Sequence, residues 1–261
     1  MMTSNIKLKE KIERSLNRKN KLLSLIINDK SNIDKVALNF RFMEYDIAVY
    51  HLMINKNSRQ HFYIAALLDK LRIDYFNNRL FDFGLPYVCY PILSDNEQLI
   101  KEYSQLRYQK GVNAELSMDE MVLQGESAIW CNTIQFFMAN DIKGIERNLN
   151  IIETLTLPKL PKNQQELKLD YEFYKALLSK DKSKCEEILE QLVSPKIHKK
   201  RNDNAILSKY VSQPALGYAK LAWRQGLEVE VNSPLVPKEI LPIEPLDNYE
   251  IPYDFLKDEI L

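Results

Sequence analysis

The chain has 261 residues, 45% of them hydrophobic and 28% charged, which is enough to close one large core or two small ones and too apolar for a disordered polymer. Lys plus Arg and Asp plus Glu both number 36, so no global field of either sign exists to gather nucleic acid or coat an anionic membrane. Charge is segregated at the ends instead: residues 1–30 hold eight bases against three acids, and residues 226–261 hold nine acids against Lys238 and Lys257.

Cys89, Cys131 and Cys185 are dispersed among apolar residues with no CxxC spacing, and read as small core residues in a reducing compartment. The N-terminal segment has charge but no apolar h-region, and no apolar run approaches the length of a membrane span. A cytoplasmic protein is expected.

From Ile6 to Asn28, Leu8, Ile12, Leu16, Leu23, Ile26 and Ile27 recur at helical spacing among basic residues, predicting an amphipathic helix with a positive outer face. No aromatic is interleaved to stack on bases, so the face reads as solvated cover. Ser31 or Asn32 starts a second helix carrying Ile33, Phe40, Ile47 and Ile54, and Asn57 or Ser58 a third carrying Phe62, Ala65, Leu68 and Tyr75. The short INKNSR turn between them makes antiparallel neighbours, so residues 5–83 read as an up-down-up layer. FGLPYVCYP, residues 83–91, has one Gly and two Pro and reads as an ordered connector, after which Ser94 caps a helix running to about Tyr108 and ended by Gly111.

Ser117 to Asn140 is predicted as the central helix. It carries two apolar stripes, one with Val122 and Ile129 and one with Trp130 and Phe137, and has Ser117 as N-cap with Asp119 and Glu120 in the first turn. Beyond it the chain repeats at an offset of 40 residues: Asn140-Asp141 and Lys180-Asp181 each follow an apolar run, and each leads to a resumed helix through Ile145/Leu149 and Cys185/Leu189. That is the shape of stacked helical hairpins of tetratricopeptide-like type. Pro158 and Pro161 separate the units and Pro195 ends the second. Residues 196–204 read as a charged loop, and Ala205–Tyr210 and Ala215–Arg224 as short helices.

From Gly226 onward five prolines forbid a long helix, yet Val236, Ile240, Leu241, Tyr253 and Phe255 are too apolar for a free tail. The expectation is an extended segment wrapping the body with its carboxylates outward. The fold class predicted is therefore all-α: a multi-helix bundle with stacked antiparallel hairpins and an extended Pro-rich C-terminal segment. It is organised as one domain over 1–261, with sub-regions 1–83, 94–225 and 226–261.

Chemistry-bearing motifs are scarce. Six glycines form neither GxGxxG nor GxxxxGK[ST], three histidines form no HExxH, and His51 and His61 fall on or beside apolar stripes as core histidines do. No nucleophile stands in a glycine-bounded elbow. No catalytic, cofactor or metal residue is assigned, and a non-enzymatic protein is expected.

The run Tyr218 to Pro242, with Trp223-Arg224-Gln225-Gly226, a short alternating piece, then Ser233-Pro234-Leu235-Val236-Pro237, resembles the C-terminal end of the bacterial immunity protein 49 family. The helix with Trp130 and the 163–192 hairpin are similar to that family too, whereas the first hundred residues match it only in being helical. The resemblance implies an antitoxin of a polymorphic toxin system that binds and neutralises a toxin delivered by sibling cells. It carries over no catalytic residue; from the motifs and the charge balance, no cofactor and no nucleic-acid or membrane partner is expected. A nuclease toxin has a positive site, so the acids of the wrapping segment, Glu228, Glu230, Glu239, Glu244, Asp247, Glu250 and Asp254, are candidate toxin contacts. Tyr249 and Tyr253 are read either as interface anchors or as pins holding the tail to the body. The competing expectation is a helical-repeat adaptor or chaperone for peptide or protein partners. An unrecognised helical enzyme would need a deep pocket with convergent polar groups.

Overall fold

Apolar residues at helical spacing and short polar turns fold most of this chain into helices. The computed structural model describes residues 2–110, 115–202 and 204–260; the expected helix end at Gly111 lies outside them. The helices are α1 (Met2–Asn28), α2 (Ile33–Met53), α3 (Arg59–Asp74), α4 (Pro86–Ser94), α5 (Glu97–Gln105), α6 (Met118–Leu123), α7 (Ile129–Ala139), α8 (Ile142–Ile151), α9 (Lys168–Leu178), α10 (Lys182–Val193), α11 (Pro195–Arg201), α12 (Gln213–Arg224) and α13 (Asp254–Ile260). Two antiparallel two-residue strands, β1 (Gln109–Lys110) and β2 (Leu116–Ser117), are the β-structure among the described residues. The all-α class expected from periodicity is what the chain adopts.

α1, α2 and α3 pack in sequence as the N-terminal layer, and α13 returns to lie on α3. The centre of the molecule is not the expected 117–140 helix but α4, formed by the stretch read as a connector. Seven of its nine residues, Val88 to Ser94, are buried, and it packs against α3, α5, α7 and α12. Its prolines do not prevent this. Pro86 sits at the first helical position, where no N–H is needed, and Pro91 costs one backbone bond in a helix enclosed on all sides. Ser94 closes α4, and it is Asn96 whose side chain caps α5, accepting from Leu99 N at 2.8 Å.

The predicted long helix is two. Ser117 does open it in a reciprocal capping box with Glu120, but Gly125 at φ +74° ends α6. There Gly125 N donates to Val122 O and Glu126 N to Met121 O, the double bond of a Schellman turn. The 40-residue repeat has the same physical content. Asn140 and Lys180 both adopt positive φ; Asp141 N and Asp181 N each reach back five residues, to Phe136 O and Ala176 O, at 2.9 Å. Asp141 and Asp181 then cap α8 and α10 through the N–H groups of Gly144 and Lys184, at 3.0 Å each. Two hairpins, α7/α8 and α9/α10, result, and α12 packs between α4 and α10. Pro195 begins α11 at its first position, so 196–201 is helical rather than the expected loop.

From Leu227 to Tyr253 the chain forms no long helix: irregular stretches are broken by a turn at 233–236, where Val236 N donates to Ser233 O, and by a 3-10 turn at Lys238–Ile240. Val229, Val231, Val236, Ile240, Leu241 and Tyr253 are buried beneath it, while Ile243 is exposed. Its alternating start finds no partner strand. Glu230 N and Asn232 N instead donate to Glu186 and Glu190 side chains of α10, at 2.9 and 2.6 Å. The match is geometric: four helical residues rise about 6 Å and two extended residues about 6.6 Å, so carboxylates at i and i+4 meet amides at i and i+2.

Candidate functional site

The C-terminal strap is held by a buried ionic cluster centred on Asp95. This residue follows α4 in the left-handed region (φ 58°), a conformation that aspartate tolerates better than most residues, and it has no solvent exposure. Its Oδ2 accepts from Lys220 Nζ of α12 at 2.7 Å, Arg59 Nε of α3 at 2.9 Å and the strap amide of Glu244 at 3.2 Å; Oδ1 accepts from Arg224 at 3.2 Å. Lys220, equally inaccessible, also donates to the carbonyls of Ile240, Leu241 and Pro242. Burial pushes its amine down to about 8 against the pull of Asp95. Arg59 donates in addition to Pro242 O (2.9 Å) and Glu244, and Arg224 to Glu97. Three helices are thereby tied to one turn of the strap.

Both candidate tyrosines contact the body of the fold. Tyr253 is buried, its ring stacked on Phe40 at 4.6 Å and its hydroxyl donated to Glu44, whose other oxygen meets His61 Nδ1 at 2.7 Å. Tyr249 is half-buried against Tyr63 and donates to Ser94 O at 2.6 Å. Desolvation raises both phenols, most strongly Tyr253 beside Glu44.

The seven candidate acids, Glu228, Glu230, Glu239, Glu244, Asp247, Glu250 and Asp254, are all exposed, but six are strung along the strap and Asp254 opens α13, a helix where the extended segment was expected to continue. Glu244 is shared with Arg59. Glu230 alone joins a denser group, a hollow of about 680 Å³ where it faces Glu186, Glu187 and Glu190 of α10 with Lys182 and Lys238 at the edge. The α10 acids were legible only as solvated-face residues. What placed them with Glu230 was the pairing of an extended segment with a helix, for which no local sequence signal exists.

Among the described residues, no three His, Cys, Asp or Glu side chains are placed to hold a metal ion. The histidine rings meet Glu44, Asn202 and the backbone oxygens of Asn57 and Ser208, none of them a serine, threonine or cysteine side chain. All three thiols are free and buried, and burial raises them, Cys185 to about 12, away from thiolate chemistry. No helix among the described residues is long and apolar enough to cross a membrane.

An all-α scaffold bearing a pinned acidic strap is the class of protein that these elements define. The chain belongs to the family described as Immunity protein 49, whose model matches residues 34–240, and an immunity-protein role follows from that membership. The match begins in α2, so the likeness seen in the C-terminal half extends to α2 and α3; α1 and the strap beyond Ile240 lie outside it. No curated protein and no solved structure matches the chain.

Proposed function

We propose that this protein is a cytoplasmic, stoichiometric inhibitor of one cognate toxin, acting through surface complementarity and without a reaction of its own. Family membership carries the reading. It is supported by the outward carboxylates of the strap and of α10, which suit a toxin with a cationic substrate site, such as a nuclease. Glu228 and Glu230, with Glu187, form the proposed first contact; Glu239, Glu244, Asp247, Glu250 and Asp254 extend it along the strap, and Tyr249 and Tyr253 hold the strap in place. Neither nucleic acid, membrane nor cofactor has a part in it.

Co-expression with the toxin encoded beside it should restore growth and yield a complex of fixed stoichiometry on size-exclusion chromatography. Absence of both rescue and complex would overturn the proposal. Within it, the triple variant Glu187→Gln/Glu228→Gln/Glu230→Gln should bind the toxin about tenfold more slowly at low salt, with a flatter salt dependence and a dissociation rate little changed. Surface plasmon resonance at two ionic strengths reads all three quantities. An unchanged association rate moves the contact face elsewhere.

A further inference from the structure

The first half of the strap is tethered at both ends. Glu230 N and Asn232 N are held by α10, and the carbonyls of Ile240, Leu241 and Pro242 by Lys220. Between these points the chain turns at 233–236, with Leu235 O taking the amide of Ser212 at 2.8 Å. A hollow of about 590 Å³ opens there between the strap, the end of α2 and residues 209–211. Its floor is aliphatic and buried: Val49, Leu52, Val211, Val231 and Val236, with Met53 half-buried beside them. Its rim is exposed and polar, with Lys209, Asn232, Lys238 and Glu239. An apolar floor inside a polar rim is the anatomy of an interface centre. The tethers fix its walls in advance, so filling it costs little ordering entropy.

Charge beside the hollow says what covers it. Val231, Asn232 and Lys238 line both this hollow and the acidic one, so a partner laid across the strap at 231–232 meets the two together. The acidic hollow sets four carboxylates, Glu186, Glu187, Glu190 and Glu230, against two lysines, and so favours a cationic partner surface. Such charges set the speed and choice of association, whereas residence time comes from apolar side chains desolvated near the centre of the contact. The acids of the proposed toxin contact thus share a wall with a preformed apolar socket. The socket also lies wholly within residues 34–240, the stretch that carries the family likeness, whereas Glu244, Asp247, Glu250 and Asp254 lie beyond it.

We propose that this hollow is the anchor socket of the toxin complex, receiving a large apolar side chain of the toxin that stands beside a lysine or arginine directed at Glu230. The assignment rests on the inhibitor reading above and adds to it the residues that hold the complex together. Pro234→Trp fills the hollow from its exposed rim, and Met53→Gln makes its side polar at similar volume; neither residue belongs to the tethers. In surface plasmon resonance against the toxin encoded beside the gene, each should raise the dissociation rate about tenfold. Association and its salt dependence should stay within about twofold of wild type, the reverse of the pattern expected for the acid triple variant. Thermal unfolding verifies that the variants are folded, and if one is not, the other decides. Alanine replacement of the toxin's apolar surface residues finds the anchor as the one whose loss no longer matters in Pro234→Trp, and its basic neighbour should couple likewise to Glu230→Gln. A complex whose dissociation ignores both variants, or an anchor without a basic neighbour, overturns the socket and leaves the inhibitor reading standing. A wild-type dimer lost in Pro234→Trp assigns the hollow to a second copy of the chain and also overturns it. Absence of any wild-type complex removes both readings.

Discussion

Asp95→Asn is expected to cost about 3–5 kcal/mol of stability, the range for removing one partner of a buried charge cluster. Asparagine keeps the left-handed backbone tolerable, so the loss reports charge rather than strain. Arg59 and Arg224 retain Glu244 and Glu97 as exposed partners, at 3.2 and 2.6 Å. Lys220 retains only the three strap carbonyls, and it has no access to water. The penalty therefore falls on Lys220, whose neutral form becomes the cheaper one. Lys220→Met should be milder because Asp95 keeps both arginines, and the double variant should cost clearly less than the sum of the singles. Urea denaturation gives the cycle, and hydrogen exchange at the Glu244 amide, which donates to Asp95, reports release of the strap.

The same lysine sets an alkaline signature. Its folded value of about 8 lies below the 10.5 of an ordinary lysine, so between these values the unfolded chain holds more protons and wild-type stability rises with pH. Below pH 8 this contribution is constant. Beyond about pH 10 the buried phenols, raised in the fold, reverse the trend. Wild type should gain stability from pH 7.5 to 9.5 relative to Lys220→Met, and parallel urea midpoints for the two would show that Lys220 titrates as an exposed lysine does.

Local chemistry was readable in proportion to how local its partners are. The turns of the 40-residue repeat follow from a polar residue and an aspartate in sequence, and Ser117 with Glu120 forms a capping box within one helical turn. α4 was misread because two prolines outweigh periodicity in a single sequence, whereas in the fold its burial on every side overrides them. The course of the strap was beyond reach, since Lys220 and Asp95, which fix it, stand 125 positions apart. Of the candidate site, exposure of the seven acids was legible from the prolines and charge of the tail. That Tyr253 would end stacked on Phe40, with Glu44 as its hydroxyl partner, depends on α2 arriving from the other end of the chain.

Gly217→Ala should destabilise the protein by about 2–3 kcal/mol although alanine is the better helix former. α12 crosses α4 at this point so closely that a Cβ on residue 217 would lie 2.0 Å from Cys89 Sγ and 3.2 Å from Cys89 Cβ. The helices must part or the thiol must move, and Cys89 sits in a core helix where an alternative χ1 meets the preceding turn. The helix-propensity gain of about 1 kcal/mol does not offset that overlap. Cys89→Ala removes the offending atom, so Gly217→Ala/Cys89→Ala should be more stable than Gly217→Ala alone, a reversal that a generic loss of packing does not produce. Because Lys220 lies one turn beyond Gly217 and Asp95 just past the end of α4, parting the helices also pulls apart the pair that fastens the strap. Gly217→Ala should therefore speed exchange of the Glu244 amide, and the Cys89→Ala partner substitution should restore its protection; a neutral Gly217→Ala would show that the two helices do not approach this closely.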